Sequence, residues 1–355
     1  MNAAMKPGPR HTSSPASRVS TALSTVVAGL RSWSGLLAGA TLLVIAVGAA
    51  SVPNFLTPFS LATAMATLGP AALMAFPVAL LVITRDIDIS VASTAALTAA
   101  CSGLVFAAQG PTPVAVAVAL AVGAVCGAVN GFFVAVLELP ALLVTLGTLA
   151  LFRGLCYVIL GSTPISPIPD FYAALGNNTV GLTILPWALV PAIVAALVAG
   201  VVLRGLPTGR RVLATGGNPA TARYSGVRTR RLRFGLFVAS GLAAAVAGMI
   251  QAGLTSQVSP DLALGMELDV ITMVFLGGVS VLGGKGSIPA VVWAAALLMF
   301  IRKFLQLNNV SGYAQGIVIG VVLIGSLVVT NAASALVERR RRSAVSAEST
   351  PATTS

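Results

Sequence analysis

Few residues of this chain could carry out catalysis. The single histidine, His11, lies in a polar N-terminal segment, which excludes Ser–His and Cys–His nucleophilic pairs and metal sites built from several histidines. Three cysteines, Cys101, Cys126 and Cys156, lie inside apolar runs without CxxC spacing. We interpret them as small buried hydrophobes rather than as a disulfide framework. The sequence therefore predicts no catalytic residue and no metal site.

A glycine-rich stretch, Gly283-Gly284-Lys285-Gly286-Ser287, superficially suggests a phosphate-binding loop. A Walker A motif would require glycine at position 279 and serine or threonine at position 286. The chain has Val279 and Gly286 at these positions, so we interpret the stretch as a tight turn. If a nucleotide drives this protein, another subunit binds it.

Two pairs of acidic residues are candidates for a polar site. Asp86 and Asp88 flank one isoleucine directly before an apolar run. They could cap the following helix, where the helix dipole favours negative charge, or they could contact a solute at a gate or along a pathway. Glu267 and Asp269 are two residues apart and cannot share a helical face, so one of them could face a pathway while the other caps.

Arg153 is the only ionisable residue well inside an apolar run. A charge there is costly unless it is paired or hydrated, so Arg153 reaches the membrane surface, forms a salt bridge within the bundle or lines a pathway. Gly277-Gly278 is expected to let helices approach closely or to kink a helix, with direct solute contact as a further alternative. Ion-coupled carriers usually hold ionisable residues inside the membrane, so their scarcity here argues against ion coupling.

The composition indicates which elements must position these residues. Hydrophobic residues make up 57% of the 355 residues and charged residues only 8%, whereas soluble domains have about 25% charged residues. Repeated apolar runs of about 20 residues predict an all-α, polytopic integral membrane protein. Ten transmembrane helices are expected, at approximately residues 33–52, 61–83, 91–109, 114–137, 141–160, 184–203, 234–253, 266–282, 288–302 and 312–331.

Basic residues predict the orientation of these helices. Eight of the 21 basic residues fall between Arg204 and Arg233, and four more form Arg339 to Arg342. The positive-inside rule places both clusters in the cytosol, which requires an even number of spans and two cytosolic termini. The net charge of +12 is thus explained by orientation, and the lack of interleaved aromatic residues excludes nucleic acid as a partner. Of the other charges, Arg85 and Lys285 fall inside, Asp170 and Asp261 fall outside, and Arg302 and Lys303 are exceptions to the rule.

The same features divide the chain into three parts. Residues 1–31 form a disordered basic cytosolic tail, residues 32–333 the transmembrane domain, and residues 334–355 a basic and then Ser/Thr-rich cytosolic tail. Within the transmembrane domain the cytosolic loop 204–233 contains no acidic residue. Membrane orientation requires only the basic residues of this loop, but the loop also carries residues that signal the ends of helices.

The loop 204–233 predicts a short capped helix. Gly216-Gly217-Asn218 ends one element, and Asn218-Pro219 begins another, with asparagine as the N-cap and proline at the first helical position. Residues 220–224 can then form a helix that ends at Gly226, a C′ glycine. Such a helix on the cytosolic face could dock in a groove of a partner.

Four segments in this order resemble one protein family. They are the GGN…A…SGV pattern of residues 216–227, the DIDISV of residues 86–91, the PALLVTLGTLALFRG of residues 140–154, and the glycine-containing stretch of residues 265–287. Together they resemble the permease subunits of bacterial ABC sugar importers of the ribose, rhamnose and autoinducer-2 type. Their surroundings align over about residues 60–330.

The resemblance implies a non-catalytic permease subunit in the bacterial inner membrane that imports a monosaccharide or sugar-like small molecule. Its partners would be ABC ATPase subunits, a second permease copy or homologue, an extracytoplasmic solute-binding protein and membrane lipid. The chain would bind no cofactor itself, and the partner ATPase would use ATP and Mg. The alternatives are an ion-coupled secondary transporter of a small solute and, less favoured because its spans lack histidine and metal ligands, a membrane-embedded enzyme.

The resemblance, together with the chemistry of the ionisable residues and glycines described above, assigns residues to two groups. The residues expected to couple the chain to the ATPase are Gly216, Gly217, Asn218, Ala222, Ser225 and Gly226. The candidates for the translocation path or a gate are Asp86, Asp88, Ser90, Thr145, Arg153, Glu267, Asp269, Gly277 and Gly278.

Overall fold

The computed structural model describes residues 32–161 and 163–328. Within these ranges the chain is helical, with two isolated β-bridges and no strand. Seven helical segments are long and apolar enough to cross a membrane. In chain order the α-helices are α1 (Trp33–Ser51), α2 (Pro58–Ile83), α3 (Val91–Ala107), α4 (Thr112–Gly131), α5 (Ala141–Leu160), α6 (Asp170–Asn177), α7 (Val190–Gly205), α8 (Pro207–Gly217), α9 (Pro219–Tyr224), α10 (Thr229–Thr255), α11 (Met266–Leu276), α12 (Ile288–Leu307) and α13 (Gly312–Val328). A π-helical turn, Phe132–Val136, extends α4, and a 3₁₀ turn, Trp187–Leu189, precedes α7.

Each of the ten predicted apolar segments contains a helix, which confirms the all-α, polytopic prediction. Four predicted boundaries differ from the structure by five or six residues. Two are the starts of α7 (Val190, predicted 184) and α10 (Thr229, predicted 234), and the other two are helix ends. The segment 266–282 is helical only as far as Leu276, because the backbone turns at Gly277 and Gly278, where Gly278 has a φ of +71°. The segment 288–302 continues to Leu307. The number of crossings and the side on which the termini lie remain predictions, and the two tails fall outside the described residues.

The helix α2 lies at the centre of the bundle. In its most apolar 18-residue window 89% of the residues are buried, compared with 22% for α5. Pro70 and Pro77 lie inside this helix, and such prolines are tolerated where neighbouring helices enclose the backbone. A Cβ atom on Gly69 would lie 2.4 Å from the carbonyl oxygen of Ala188, so α2 directly touches the 3₁₀ turn before α7.

Small residues allow α4 and α10 to approach closely. A Cβ atom on Gly241 would lie 2.1 Å from the carbonyl oxygen of Gly123, and one on Gly127 would lie 2.4 Å from that of Phe237. Only glycine fits at these positions. Close contact through small residues is the usual way in which helices associate in lipid, where the hydrophobic effect does not drive them together.

Three loops meet at one end of the bundle. The Gly284 N–H donates to the carbonyl oxygen of Ile83 (2.9 Å), and the Arg85 side chain reaches the carbonyls of Gly216 and Gly217. We call this arrangement of residues 83–85, 216–217 and 283–284 the three-loop junction. The loop of Arg85, the loop of Lys285 and the basic loop 204–233 thus share one end, as the charge pattern predicts.

The opposite end is built around the loop between α10 and α11. Ile165 and Val258 form a β-bridge, and the Tyr157 hydroxyl donates to Asp261. Asn177, at the end of α6, donates to the carbonyl oxygen of Gly253 (2.8 Å). Asp261 and the short helix α6 therefore lie away from the three-loop junction, in agreement with the predicted separation of acidic and basic loops.

Candidate functional site

The helix α9 has the caps that its sequence predicts. The Asn218 side-chain oxygen accepts hydrogen bonds from the N–H groups of Ala220 (3.0 Å) and Thr221 (3.1 Å), which satisfies two of the donors that a helix start leaves unpaired. At the other end Gly226 has a φ of +81°. Its N–H donates to the Arg223 carbonyl oxygen, and the Val227 N–H donates to the Ala222 carbonyl oxygen. These two bonds form a Schellman motif, so both ends of α9 are fixed locally.

The surface of α9 is exposed except for one anchor. Ala222 is 3% exposed, whereas Tyr224 is 94% exposed. An aromatic ring that extends into solvent buries little apolar surface unless another molecule covers it. Gly217, Asn218, Ser225 and Gly226 are exposed as well, while Gly216 is buried in the three-loop junction.

Glu138 ties α9 to the turn between α4 and α5, a contact that the sequence does not reveal. Its carboxylate accepts from Arg223 (2.9 Å) and from Arg230 (3.1 Å). The hydrogen bond from Arg230 and the charge of Arg223 lower the pKa of Glu138, so it stays ionised over a wide pH range. Arg223 also donates to the Thr229 hydroxyl (3.1 Å), which joins α9 to the first turn of α10.

Arg85 connects the end of α2 to α8 in the three-loop junction. Its Nε donates to the Gly216 carbonyl (2.6 Å) and its Nη2 to the Gly217 carbonyl (2.7 Å). Arg85 has a φ of +74° and occupies the C′ position of α2, which is normally glycine. An arginine there costs about 1–3 kcal/mol in backbone strain, and its two hydrogen bonds offset that cost.

The peptide between α2 and α3 is extended and lies inside the bundle. Within it Asp86 is 2% exposed and forms a bidentate ion pair with Arg233 of α10. The Arg233 Nε donates to Oδ2 (2.6 Å), and Nη2 donates to Oδ1 (2.5 Å). Asp86 therefore does not cap α3.

Asp88 instead meets the start of α3. It accepts from the Ser90 N–H (3.0 Å) and hydroxyl (2.7 Å), and from the Ser240 hydroxyl of α10 (2.8 Å). The Asn130 side chain donates to the Ser90 hydroxyl (2.8 Å). The bond from the Ser90 N–H forms an Asx turn directly before α3, and a capping or pathway role of Asp88 remains a prediction.

Thr145 of α5 also reaches the extended peptide. Its hydroxyl lies 3.1 Å from the Ile87 carbonyl oxygen. The structure thus brings together four of the predicted path residues, Asp86, Asp88, Ser90 and Thr145. We call these four residues and their partners Arg233, Ser240 and Asn130 the buried polar cluster. Non-helical backbone between membrane helices is tolerated only where protein or a water-filled cavity surrounds it, and a broken helix with inward polar groups is the usual form of a transporter binding site.

The other predicted path residues lie apart from this cluster. Arg153 donates to the carbonyls of Pro260 (2.6 Å) and Leu262 (2.8 Å), at the end of the bundle away from the three-loop junction. Its partners are thus backbone carbonyls and not the carboxylate of a salt bridge, which was one of the predicted alternatives. Asp269 is buried and paired with Arg302 (2.5 Å). This pair accounts for the exception that Arg302 makes to the charge pattern.

Gly277 and Gly278 end α11 instead of kinking it. A Cβ atom on Gly277 would lie 2.7 Å from the Val291 side chain, so α11 and α12 touch here. This agrees with the prediction that the two glycines let helices approach closely. Gly278 packs on Trp33, whose Nε1 donates to the Leu276 carbonyl (2.8 Å). Glu267 precedes the buried Asp269 and is half-buried itself.

Sequence reasoning missed the partners that neutralise the buried acids. Arg233 was attributed to orientation, and Ser240 and Asn130 are single polar residues in otherwise apolar helices. Such isolated polar residues were the available signal. Among residues 32–161 and 163–328 no three His, Cys, Asp or Glu side chains are grouped as metal ligands.

Comparison with known proteins agrees with this architecture. Residues 60–327 match the family model described as "Branched-chain amino acid transport system / permease component". The chain is 34% identical over 297 residues to the ribose import permease protein RbsC of Escherichia coli (strain K12), which covers 82% of this chain and 92% of the relative. It is 34% identical over 278 residues to the L-arabinose transport system permease protein AraH of the same organism, with 78% and 84% covered.

A third relative is the autoinducer 2 import system permease protein LsrC of Enterobacter sp. (strain 638), 34% identical over 270 residues, with 76% of this chain and 78% of the relative covered. No solved structure matches. The family match covers more than half of the chain, and each of these relatives aligns with at least 76% of it. The chain therefore belongs to this family of transport-system permease components, as a multi-pass membrane protein.

Proposed function

We propose that this chain is the permease subunit of an ATP-driven importer that moves a monosaccharide or sugar-like small molecule across the bacterial inner membrane. The observation that carries the proposal is the alignment, over four fifths of the chain, with permeases named for ribose, arabinose and autoinducer 2 import. The chain would hydrolyse no ATP. Separate ABC ATPase subunits would use ATP and Mg, and an extracytoplasmic binding protein would deliver the solute.

The helix α9 is the proposed docking element for the ATPase. It is rigid because both ends are capped, its tip presents the exposed Tyr224, and the surrounding loop carries basic and no acidic residues. The coupling residues Gly217, Asn218, Ser225 and Gly226 are exposed around it, while Ala222 and Gly216 seat it on the bundle. A rigid, aromatic and cationic projection suits a groove on a partner with acidic rims.

Movement of α9 would reach the buried polar cluster through short connections. Gly216 and Gly217, at the end of α8, are bonded to Arg85, and Arg85 is followed directly by Asp86 of the extended peptide. Arg233, which holds Asp86, lies one turn beyond the first residues of α10. Displacement of α9 by the ATPase would therefore act on the extended peptide from both sides. The solute would pass at the interface with a second permease copy or homologue.

Isolation of the tagged chain from native membranes in mild detergent tests the proposal. We expect an ATP-binding subunit in stoichiometric amount, identified by mass spectrometry. Tyr224→Ala and Gly226→Trp should reduce its recovery and abolish uptake while membrane insertion is retained. Gly181→Trp is the matched control for recovery of the ATP-binding subunit, because Gly181 also has a positive φ (+57°) and open space around it but lies in the loop before α7, away from α9.

The ion-coupled transporter makes the opposite prediction. The chain would then purify alone in several detergents, and uptake would survive depletion of ATP but collapse when an ionophore dissipates the ion gradient. Either result contradicts the proposed function. Unaltered uptake by the Gly226→Trp variant would contradict the role of α9 alone.

A further inference from the structure

Two apolar side chains project from the loop between α11 and α12. Leu282 is 81% exposed, and Val281 beside it is exposed as well. The Gly283 N–H donates to the Ser280 carbonyl oxygen (2.9 Å), so residues 280–283 form a β-turn with Val281 and Leu282 at its two central positions. Glycine and polar residues usually occupy such positions. Within the part of the chain that the structure describes, neither side chain is covered.

This loop is fixed to the end of the bundle. The Ser280 N–H donates to the Lys285 carbonyl oxygen (3.0 Å), which closes residues 280–285 into a short loop that we call the apolar turn. The Gly284 N–H donates to the carbonyl oxygen of Ile83, the last residue of α2 (2.9 Å). Gly283 and Gly284 have φ values of +76° and +74°, which glycine adopts without strain. The exposed tip therefore belongs to an ordered projection.

The apolar turn lies beside the start of α9. A Cβ atom on Gly284 would lie 2.9 Å from the Cα atom of Gly217, and Gly217 directly precedes Asn218, the N-cap of α9. Leu282 is two residues from Gly284, so their Cα atoms lie within about 7 Å of each other. The tip of the apolar turn and α9 therefore project from the same end of the bundle.

Neighbouring residues indicate that this end faces water and not lipid. The Trp33 side chain, of a type enriched at the membrane–water interface, is bonded to the Leu276 carbonyl at the end of α11. The exposed Lys285 closes the apolar turn on its other side. The positive-inside rule places this end, with the basic loop 204–233, in the cytosol.

We propose that the apolar turn is a second contact for the ATP-binding subunit on which α9 docks, an inference that rests on the proposed function. The turn extends the surface of α9, whose exposed Tyr224 is likewise uncovered, and neighbouring exposed apolar residues mark protein–protein contacts. A second fixed point keeps a short docked helix from pivoting. It also transmits displacement of the ATP-binding subunit to the central helix α2 through the bond between Gly284 and Ile83.

Cross-linking from the turn tests this contact in the full-length chain in native membranes. The Leu282→Cys variant is labelled with a maleimide–benzophenone reagent and illuminated, and mass spectrometry identifies the adduct, which we expect to contain the ATP-binding subunit. Leu264→Cys is the matched control without such an adduct, because Leu264 is 65% exposed in the loop between α10 and α11, at the opposite end. The wild type gives the background, since Cys126 and Cys156 are buried and Cys101 is half-buried.

Leu282→Ser measures how much the contact contributes. Since the substitution removes the apolar surface of one leucine from the interface, we expect the affinity for the ATP-binding subunit to fall about tenfold. Thermal stability of the isolated chain should equal that of the wild type, because the side chain is exposed. Leu264→Ser should leave the affinity unchanged.

Failure of this inference and failure of the proposed function give different results. If Tyr224→Ala reduces recovery of the ATP-binding subunit while Leu282→Cys forms an adduct only with lipid or within its own chain, the apolar turn is not a docking contact and the proposed function stands. Wild-type affinity of the Leu282→Ser variant leads to the same conclusion. If the wild type brings no ATP-binding subunit with it, both fail.

Discussion

Arg233→Met tests whether the buried ion pair with Asp86 holds the extended peptide in place. The Asp86 side chain is 2% exposed and that of Arg233 is 17% exposed. Loss of Arg233 therefore leaves a fully buried charge, whereas loss of Asp86 leaves a partly exposed one. Without Arg233, the Asp86 carboxylate keeps, among the residues that the structure describes, only the Thr84 hydroxyl at 3.2 Å. Removal of one partner of a buried pair costs about 3–5 kcal/mol, and we expect Arg233→Met to lower the free energy of unfolding by that amount.

Asp86→Asn should cost less. The partly exposed guanidinium of Arg233 can turn toward water, and the neutral amide can still accept one of its hydrogen bonds, so we expect about 1–3 kcal/mol. The double variant should be more stable than the sum of the two losses predicts, because neither charge is then stranded.

Equilibrium unfolding in mixed micelles of mild detergent and dodecyl sulfate measures all three variants against the wild type. Arg230→Met is the control for loss of an arginine, because its pair with Glu138 is exposed and such pairs contribute about 0–1 kcal/mol. A loss below about 1 kcal/mol for Arg233→Met, or additive effects in the double variant, would refute the reasoning.

Three further outcomes follow from the contacts around α8 and α9. Gly216→Ala should disrupt the three-loop junction and reduce thermal stability, since its Cβ would lie 1.7 Å from the Ile83 carbonyl oxygen; Gly217→Ala, with nothing within 4 Å, should leave thermal stability nearly unchanged, and equal losses of stability would contradict this. Asn218→Ala should destabilise α9 by about 1 kcal/mol, seen as faster hydrogen exchange at Ala220 and Thr221, and unchanged exchange would count against the cap. Because the pKa of Glu138 is lowered from 4.5 on folding, its contribution is present above pH 4.5 and is lost as the pH falls through the lowered value; the protection of the α9 amides, measured relative to the intrinsic exchange rate at each pH, should fall there in the wild type but not in Glu138→Gln.

The features that depend on local sequence were predictable. The start and end of α9 are encoded within a few residues by Asn218-Pro219 and Gly226, and hydropathy located every long apolar helix. The end of α11 was missed because Val279, Val281 and Leu282 continue the apolar run beyond Gly277-Gly278. Hydropathy depends on the polarity of the side chains, so it does not reveal that the backbone turns at the two glycines.

Pairings between distant residues were not predictable. Asp86 and Arg233 are 147 residues apart, and Asp88 and Ser240 are 152 apart, so no periodicity connects them. The sequence left capping and pathway contact open for both aspartates, and the structure separates them by their partners. The same holds for Arg302, which is an exception to the charge pattern until Asp269 is seen beside it.

The shortness of α11 constrains how the chain enters the membrane during synthesis. Its 11 residues rise about 16 Å at 1.5 Å per residue, roughly half of a hydrocarbon layer of about 30 Å. Such a segment cannot partition into lipid by itself as it leaves the translocon. It can pack between α2 and α12 only once α12 is present, so a chain truncated near residue 287 and released from the ribosome should still expose α11 to water-soluble labels.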